Sequence, residues 1–169
     1  MTPLERERER IVRAHIDAEA RGDFDGALAT FHRPRYEIMA TGEVHDGAEA
    51  VSAFYDETAR AFPNLGFRTP VLRHSLDAVT VETTFHALHA GPWRGLPATG
   101  RRVEYAMMNL FSFEEERLVL ERMYFDLLTP LRQIGVSRDP VSPVGRIATA
   151  LNHPLVVGGA FLRALLRAR

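Results

Sequence analysis

"RVEYAMMNLFSFEEERLVLERMYFD", residues 102–126, decides the fold. Two runs rich in apolar and aromatic residues, 102–113 and 118–126, flank the charged tetrapeptide "EEER" (114–117). A short polar break between two such runs reads as an antiparallel hairpin with a tight turn. Working backwards, "AVTVETTFHALH" (78–89) alternates in the same manner, and 67–74 is strand-like. "HAGPWRGLPATGR" (89–101) is a long connection rich in Gly and Pro.

Ahead of this meander the period changes. Residues 4–21 place Ile11, Val12, Ala14, His15, Ile16 and Ala18 on one side of a helix, with alternating Glu and Arg opposite. "RGD" (21–23) stops it, and a short second helix runs to about Phe31. "RYEIMA" (35–40) is strand-like, "TGEVHDG" (41–47) is turn-rich, and 48–62 is a third helix striped by Val51, Phe54, Tyr55 and Phe62. Helices first and strands afterwards predict an α+β domain, with helices packed on one face of an antiparallel sheet. That domain occupies 1–135. The remainder, 136–169, is a breaker-rich linker, a short helix and an amphipathic helix (155–169) carrying Arg163, Arg167 and Arg169. The last helix could lie on a membrane surface or pack on the domain or a partner subunit, and packing is the expectation.

Bulk composition removes several function classes. The net charge of −1 supplies no field for nucleic acid or anionic membranes as main partners. All 21 basic residues are arginine, so lysine Schiff-base chemistry is excluded. With no cysteine, disulfides, thiolate nucleophiles and zinc–cysteine sites are excluded too. "MTPLERERERIV" is too charged for a signal peptide, and "LVVGGAFL" (155–162) is too short to span a bilayer, so the cytoplasm is the expected location.

Strand parity sorts the candidate site residues, because side chains alternate between faces. On 78–89 the odd positions are the more apolar, which turns His89 inward and His86 outward; "HALH" therefore makes no metal pair, and no metal site is expected. Pairing Phe113 with Leu118 across the turn sets Asn109 opposite Arg122, Met107 opposite Tyr124, and Tyr105 opposite Asp126. These residues form a mostly apolar wall with a few polar groups, the usual lining of a small-molecule pocket.

Four segments together resemble a known family: "GDFDGALATFH" (22–32), "HDGAEAVSAFYDETARAFPNL" (45–65), "HAGPWRGLPATGRRV" (89–103) and "YFDLLTPLRQIG" (124–135). They look like the SnoaL-like polyketide cyclases of the nuclear transport factor 2-like superfamily, over roughly residues 8–135. The resemblance implies a cone-shaped curved sheet wrapped by helices around one deep cavity, dimerising through the sheet's outer face. It also implies a catalytic aspartate at Asp126 and a cavity histidine at His89. Two features depart from the pattern: Asn64 stands where an aspartate is usual, and the tail after Gly135 is longer.

On this reading Asp126 points into an apolar chamber, where burial would raise its pKa and let it remove and return a proton. That suits an intramolecular aldol closing a polyketide ring, or an isomerisation or dehydration, with no cofactor. His89, Tyr105 or Asn109 would stabilise the enolate oxygen. Trp93, Phe54, Tyr55, Tyr124, Arg122 and His15 complete the candidate binding set. The ordinary alternative for Asp126 is a cap on "LLTPLRQ". At the level of function the alternatives are a non-catalytic binding protein and, third, an epoxide hydrolase.

Overall fold

The first helix is set by its opening residues. Thr2 accepts from the Glu5 N–H, Glu5 reaches back to the Thr2 N–H, and Pro3 occupies the first turn. The helix, α1 (Pro3–Ala20), keeps its wet side in order through Glu7–Arg10 and Glu9–Arg13 pairs and buries Val12, His15, Ile16 and Glu19. In this computed structural model, which describes residues 1–167, the chain continues through α2 (Phe24–Ala29), β1 (Arg35–Ile38), β2 (Glu43–Asp46) and α3 (Ala48–Ala61). It then forms β3 (Gly66–His74), β4 (Ala78–Leu88), β5 (Arg102–Glu114), β6 (Arg117–Phe125), α4 (Leu128–Gln133), α5 (Pro143–Asn152) and α6 (Pro154–Arg167). The expected place of Arg169 lies outside the described residues.

The strands form one sheet in the order β2-β1-β6-β5-β4-β3. Three differences from expectation matter. The turn-rich 41–47 holds the edge strand β2. The sheet is mixed, because β1 lies parallel to β6 while the other pairs are antiparallel; the long crossover a parallel pair needs is supplied by the helices and hairpins between them. The third difference is in the decisive hairpin. Phe113 does face Leu118, but a bulge follows, and Ser112 pairs with Leu120. One extra residue on β6 slides the register, so Asn109 faces Met123 and Met107 faces Phe125. Each β6 residue from 120 onward therefore changes face relative to the expected pairing. Glu121, Met123 and Phe125 turn inward with Tyr105, Met107 and Asn109, while Arg122, Tyr124 and Asp126 turn out.

α1, α2 and α3 cover the inner face. Two apolar clusters fill the space between, one around Val12, Tyr36, Val51 and Phe111, the other around Phe62, Phe85, Val103 and Ile134. Gln133 fixes α4 beside β5 by exchanging two hydrogen bonds with the Glu104 backbone, at 2.8 and 2.7 Å. α5 and α6 contact each other, and α6 buries none of its described residues, so the last helix does not pack on the domain, one of the two packings expected of it. No helix among the described residues is long and apolar enough to cross a membrane.

Candidate functional site

Between the helices and the inner face lies a narrow cavity of about 70 Å³. Its walls are aromatic: Phe24 from α2, Phe54 and Tyr55 from α3, Phe62 just after α3, Phe85 from β4, Trp93 from the long connection, Tyr105 from β5 and Phe125 from β6. Met107 and Met123 fill between them. The expected lining residues Phe54, Tyr55, Trp93 and Tyr105 are thus brought together. Burial pushes the Tyr105 hydroxyl pKa up, so it stays protonated; among the described residues it has no hydrogen-bond partner, leaving it free for a ligand.

One carboxylate reaches this cavity among the described residues, and it is Glu19. Behind Glu19 lies a buried polar chain drawn from five elements. Tyr36 on β1 donates to Glu19 Oε1 at 2.9 Å, and its oxygen lies 2.7 Å from the Tyr55 hydroxyl and 2.8 Å from His15 Nε2. His15 Nε2 lies 3.3 Å from Glu19 Oε1 and 3.1 Å from Glu121 Oε2. Asn109 donates to Glu121 Oε1 at 2.8 Å. His15 and Glu121 are fully buried.

The proton arrangement follows from the acceptors. His15 Nδ1 lies 2.8 Å from the Thr30 hydroxyl, which donates its own hydrogen to the Ala27 carbonyl, and 3.2 Å from that carbonyl; both oxygens accept, so Nδ1 carries a hydrogen. Burial lowers the His15 pKa, but the charge of Glu19 and contacts to Glu121 and Glu19 outweigh it and raise it to about 10. A doubly protonated ring then sits between two carboxyl groups. Burial and the neighbouring Glu19 charge push Glu121 up. His15, Glu19 and Glu121 also converge closely enough to ligate a metal ion, although proton-sharing contacts among them and Tyr36 account for their spacing.

The mouth is built by the long connection. Ala90 and Gly91 donate to the Ala61 carbonyl at the end of α3, at 3.0 and 3.2 Å. A Cβ on Gly91 would fall 1.9 Å from the Arg60 carbonyl oxygen, so only glycine permits this approach. Arg94, in a left-handed conformation at φ 52°, carries its guanidinium to the Glu43 carboxylate on β2. This clasp ties the loop across the cavity, and hydrogen bonding to Arg94 holds Glu43 below the usual carboxylate range.

Several expected residues stand elsewhere. Asp126 is exposed on the outer side of the sheet, the consequence of the bulge. Its carboxylate accepts from the Thr129 hydroxyl at 2.6 Å and the Leu128 N–H at 3.0 Å, holding the start of α4, and these bonds lower its pKa rather than raise it. Asp126→Asn is therefore expected to leave turnover unchanged; a large loss in a steady-state assay would contradict this placement. Arg122 and Tyr124 are also on the outer face, and Arg122 pairs with Glu37 of neighbouring β1 at 2.6 Å. His89 is buried behind Phe62 and Trp93 instead of lining the cavity; it contacts Thr99 Oγ1 at 3.0 Å, and burial lowers its pKa. His15 and Asn109 belong to the chain behind Glu19 and do not line the wall.

Glu19, Glu121, Tyr36 and Arg94 were not among the candidates drawn from the sequence. Glu19 had a signal: Val12, His15, Ile16 and Glu19 fall at helical spacings that place a carboxylate on the apolar stripe. Glu121 had none short of knowing the bulge.

Comparison with known proteins bears on the fold and on descent. The family profile described as SnoaL-like polyketide cyclase matches residues 9–134. Among solved structures the chain is similar to AclR, a candidate hydroxylase from Streptomyces galilaeus, at 21% identity over 85% of this chain and 94% of that one, TM-score 0.69. It is also similar to a candidate polyketide cyclase from Xanthomonas campestris pv. campestris, at 19% identity over 78% and 99%, TM-score 0.72. TsrD from Streptomyces laurentii is 25% identical over 77% and 96%, TM-score 0.66. A search of curated sequences finds no match.

Proposed function

The chain belongs to the SnoaL-like polyketide cyclase family, and from that premise we propose that it closes or isomerises a small apolar molecule by acid/base proton transfer within the aromatic cavity. Family membership supports small-molecule cyclase or isomerase chemistry in general. The finer reading, an intramolecular aldol, rests on one observation: Glu19 is the carboxylate that reaches the cavity among the described residues, backed by the Tyr36–His15–Glu121 chain.

In this reading Glu19 removes a proton from a carbon beside a carbonyl. The electron pair moves into an enolate whose oxygen accepts from the Tyr105 hydroxyl. The enolate carbon attacks a second carbonyl of the same chain, and the new alkoxide recovers the proton from Glu19. Protons balance over the cycle, and the steps call for neither cofactor nor metal. The protonated His15 limits the charge built up when Glu19 and Glu121 share one dry site. We further place the protein in the cytoplasm as a homodimer joined through the outer face of the sheet, where Met39 and Met108 are exposed.

The test is hydrogen exchange. Incubated in deuterium oxide with short chains bearing alternate carbonyls, the protein is expected to speed deuterium uptake at the carbon between them. A cavity filled by Met107→Trp is expected to abolish the acceleration. If the wild type gives no acceleration with any member of such a panel, the acid/base reading is wrong and a binding role replaces it.

A further inference from the structure

The tail combines two properties that the rest of the chain lacks. All 22 acidic residues lie at or before Asp139, whereas four of the 21 arginines follow it. The tail is thus a net cation on a net anionic chain. Its helices also turn their apolar sides to solvent: Leu155 is 90% exposed, Phe161 68% and Leu165 67%, with Ile147 and Leu151 of α5 similarly bare. Monomers rarely leave contiguous apolar surface of this kind uncovered.

We propose that α5 and α6 form a docking platform for an anionic lipid bilayer, lying in the plane of the headgroups. On α6, Phe161, Leu162, Leu165 and Leu166 share one face, and Arg163 and Arg167 stand one turn apart on the other. An apolar face backed by arginines with no acidic residue is the pattern of an interfacial helix. The 14 residues of α6 extend about 21 Å at 1.5 Å per residue, short of the thickness of a bilayer core. The turn that starts the platform is closely packed. Ser142 caps α5 and donates to the Asp139 carbonyl oxygen at 2.7 Å, and a Cβ on Gly145 would fall 1.7 Å from that oxygen.

Charge also argues against the alternative occupant, the outer sheet face of a second copy. Most acidic groups there already have an arginine, Glu104 with Arg68 at 3.0 Å, Glu82 with Arg73 at 2.9 Å and Glu37 with Arg122 at 2.6 Å, and Asp126 is engaged by Thr129 and the Leu128 N–H. A bilayer rich in anionic headgroups offers unmatched negative charge and an apolar layer beneath it.

Vesicle co-sedimentation of the full chain tests this. The protein is expected to pellet with vesicles of equal parts phosphatidylcholine and phosphatidylglycerol, to bind phosphatidylcholine alone weakly, and to be released as salt rises. Removing Arg163 and Arg167 as Arg163→Gln and Arg167→Gln should weaken binding about fivefold each. Phe161→Glu with Leu165→Glu should abolish it while the melting temperature stays at the wild-type value. Equal binding to both vesicles, or to neither, overturns the proposal. So does a double variant that keeps its vesicle binding, or one whose effect is instead the loss of a dimer in sedimentation.

Discussion

Glu19→Gln lowers kcat by roughly 10²–10⁴-fold with little change in KM, the range expected when a positioned general base is removed. The substitution preserves shape, and the amide oxygen can still accept from Tyr36, so the aromatic wall and the substrate's seat stay in place. What is removed is the capacity to take a proton and, with it, the charge that helps keep His15 protonated. The two kinetic constants separate the explanations, since lost binding would raise KM, whereas a lost base acts on the chemical step. Single-turnover measurement on the substrate found by deuterium uptake gives the clearest comparison. An unimpaired Glu19→Gln enzyme would eliminate Glu19 as the base and with it the proposed cycle.

Glu121→Ala destabilises the fold by about 3–5 kcal/mol, the usual consequence of removing one partner from a buried charged group. The variant strands the Asn109 amide and takes from His15 one of its two carboxyl neighbours. Against a total stability of about 5–15 kcal/mol that is a large share. The loss also depends on pH. The folded-state pKa of His15 is raised to about 10 from 6.5, so its contribution is fully present below pH 6.5 and fades as pH rises through about 10. Glu121 is raised as well, and it too contributes less as pH rises above the ordinary carboxylate range. The gap in stability between wild type and Glu121→Ala should therefore narrow on going from neutral to strongly alkaline solution. Urea unfolding at both ends of that range measures it. A gap that widens with pH, or a loss below about 1 kcal/mol at neutral pH, would mean that His15 is not held protonated by its neighbours.

Most of the architecture was legible because it rests on periodicity. The 3.6-residue stripes of α1 and α3 and the alternation of β4 survive any detail of pairing, and the odd-in assignment of β4 matches its burial. The connection 89–101 was legible as a long loop because Gly and Pro interrupt it, and Trp93 within it as a candidate lining residue. The site was harder to read. Its carboxylates come from α1 and β6, 102 residues apart, and β6 carries a bulge whose position no local residue announces. The correct turn pair, Phe113 with Leu118, therefore led to the wrong face for Asp126 and hid Glu121. Strand β2 escaped for a different reason: four residues between two glycines are too few to show a period.

The parallel union of β1 with β6 constrains the order in which the protein can assemble as it is synthesised. Tyr36 lies beside Glu121, 85 positions later, and Ile38 beside Met123. While the ribosome is still producing the middle of the chain, the first strand has no neighbour except β2, and two short strands alone are marginal. The N-terminal helices can meet one another and the β3–β4 hairpin earlier, but β1 gains its neighbour on the other side only when the last strand emerges. In the same event Glu121 arrives beside His15, so the polar chain behind Glu19 is completed only after most of the domain has been synthesised.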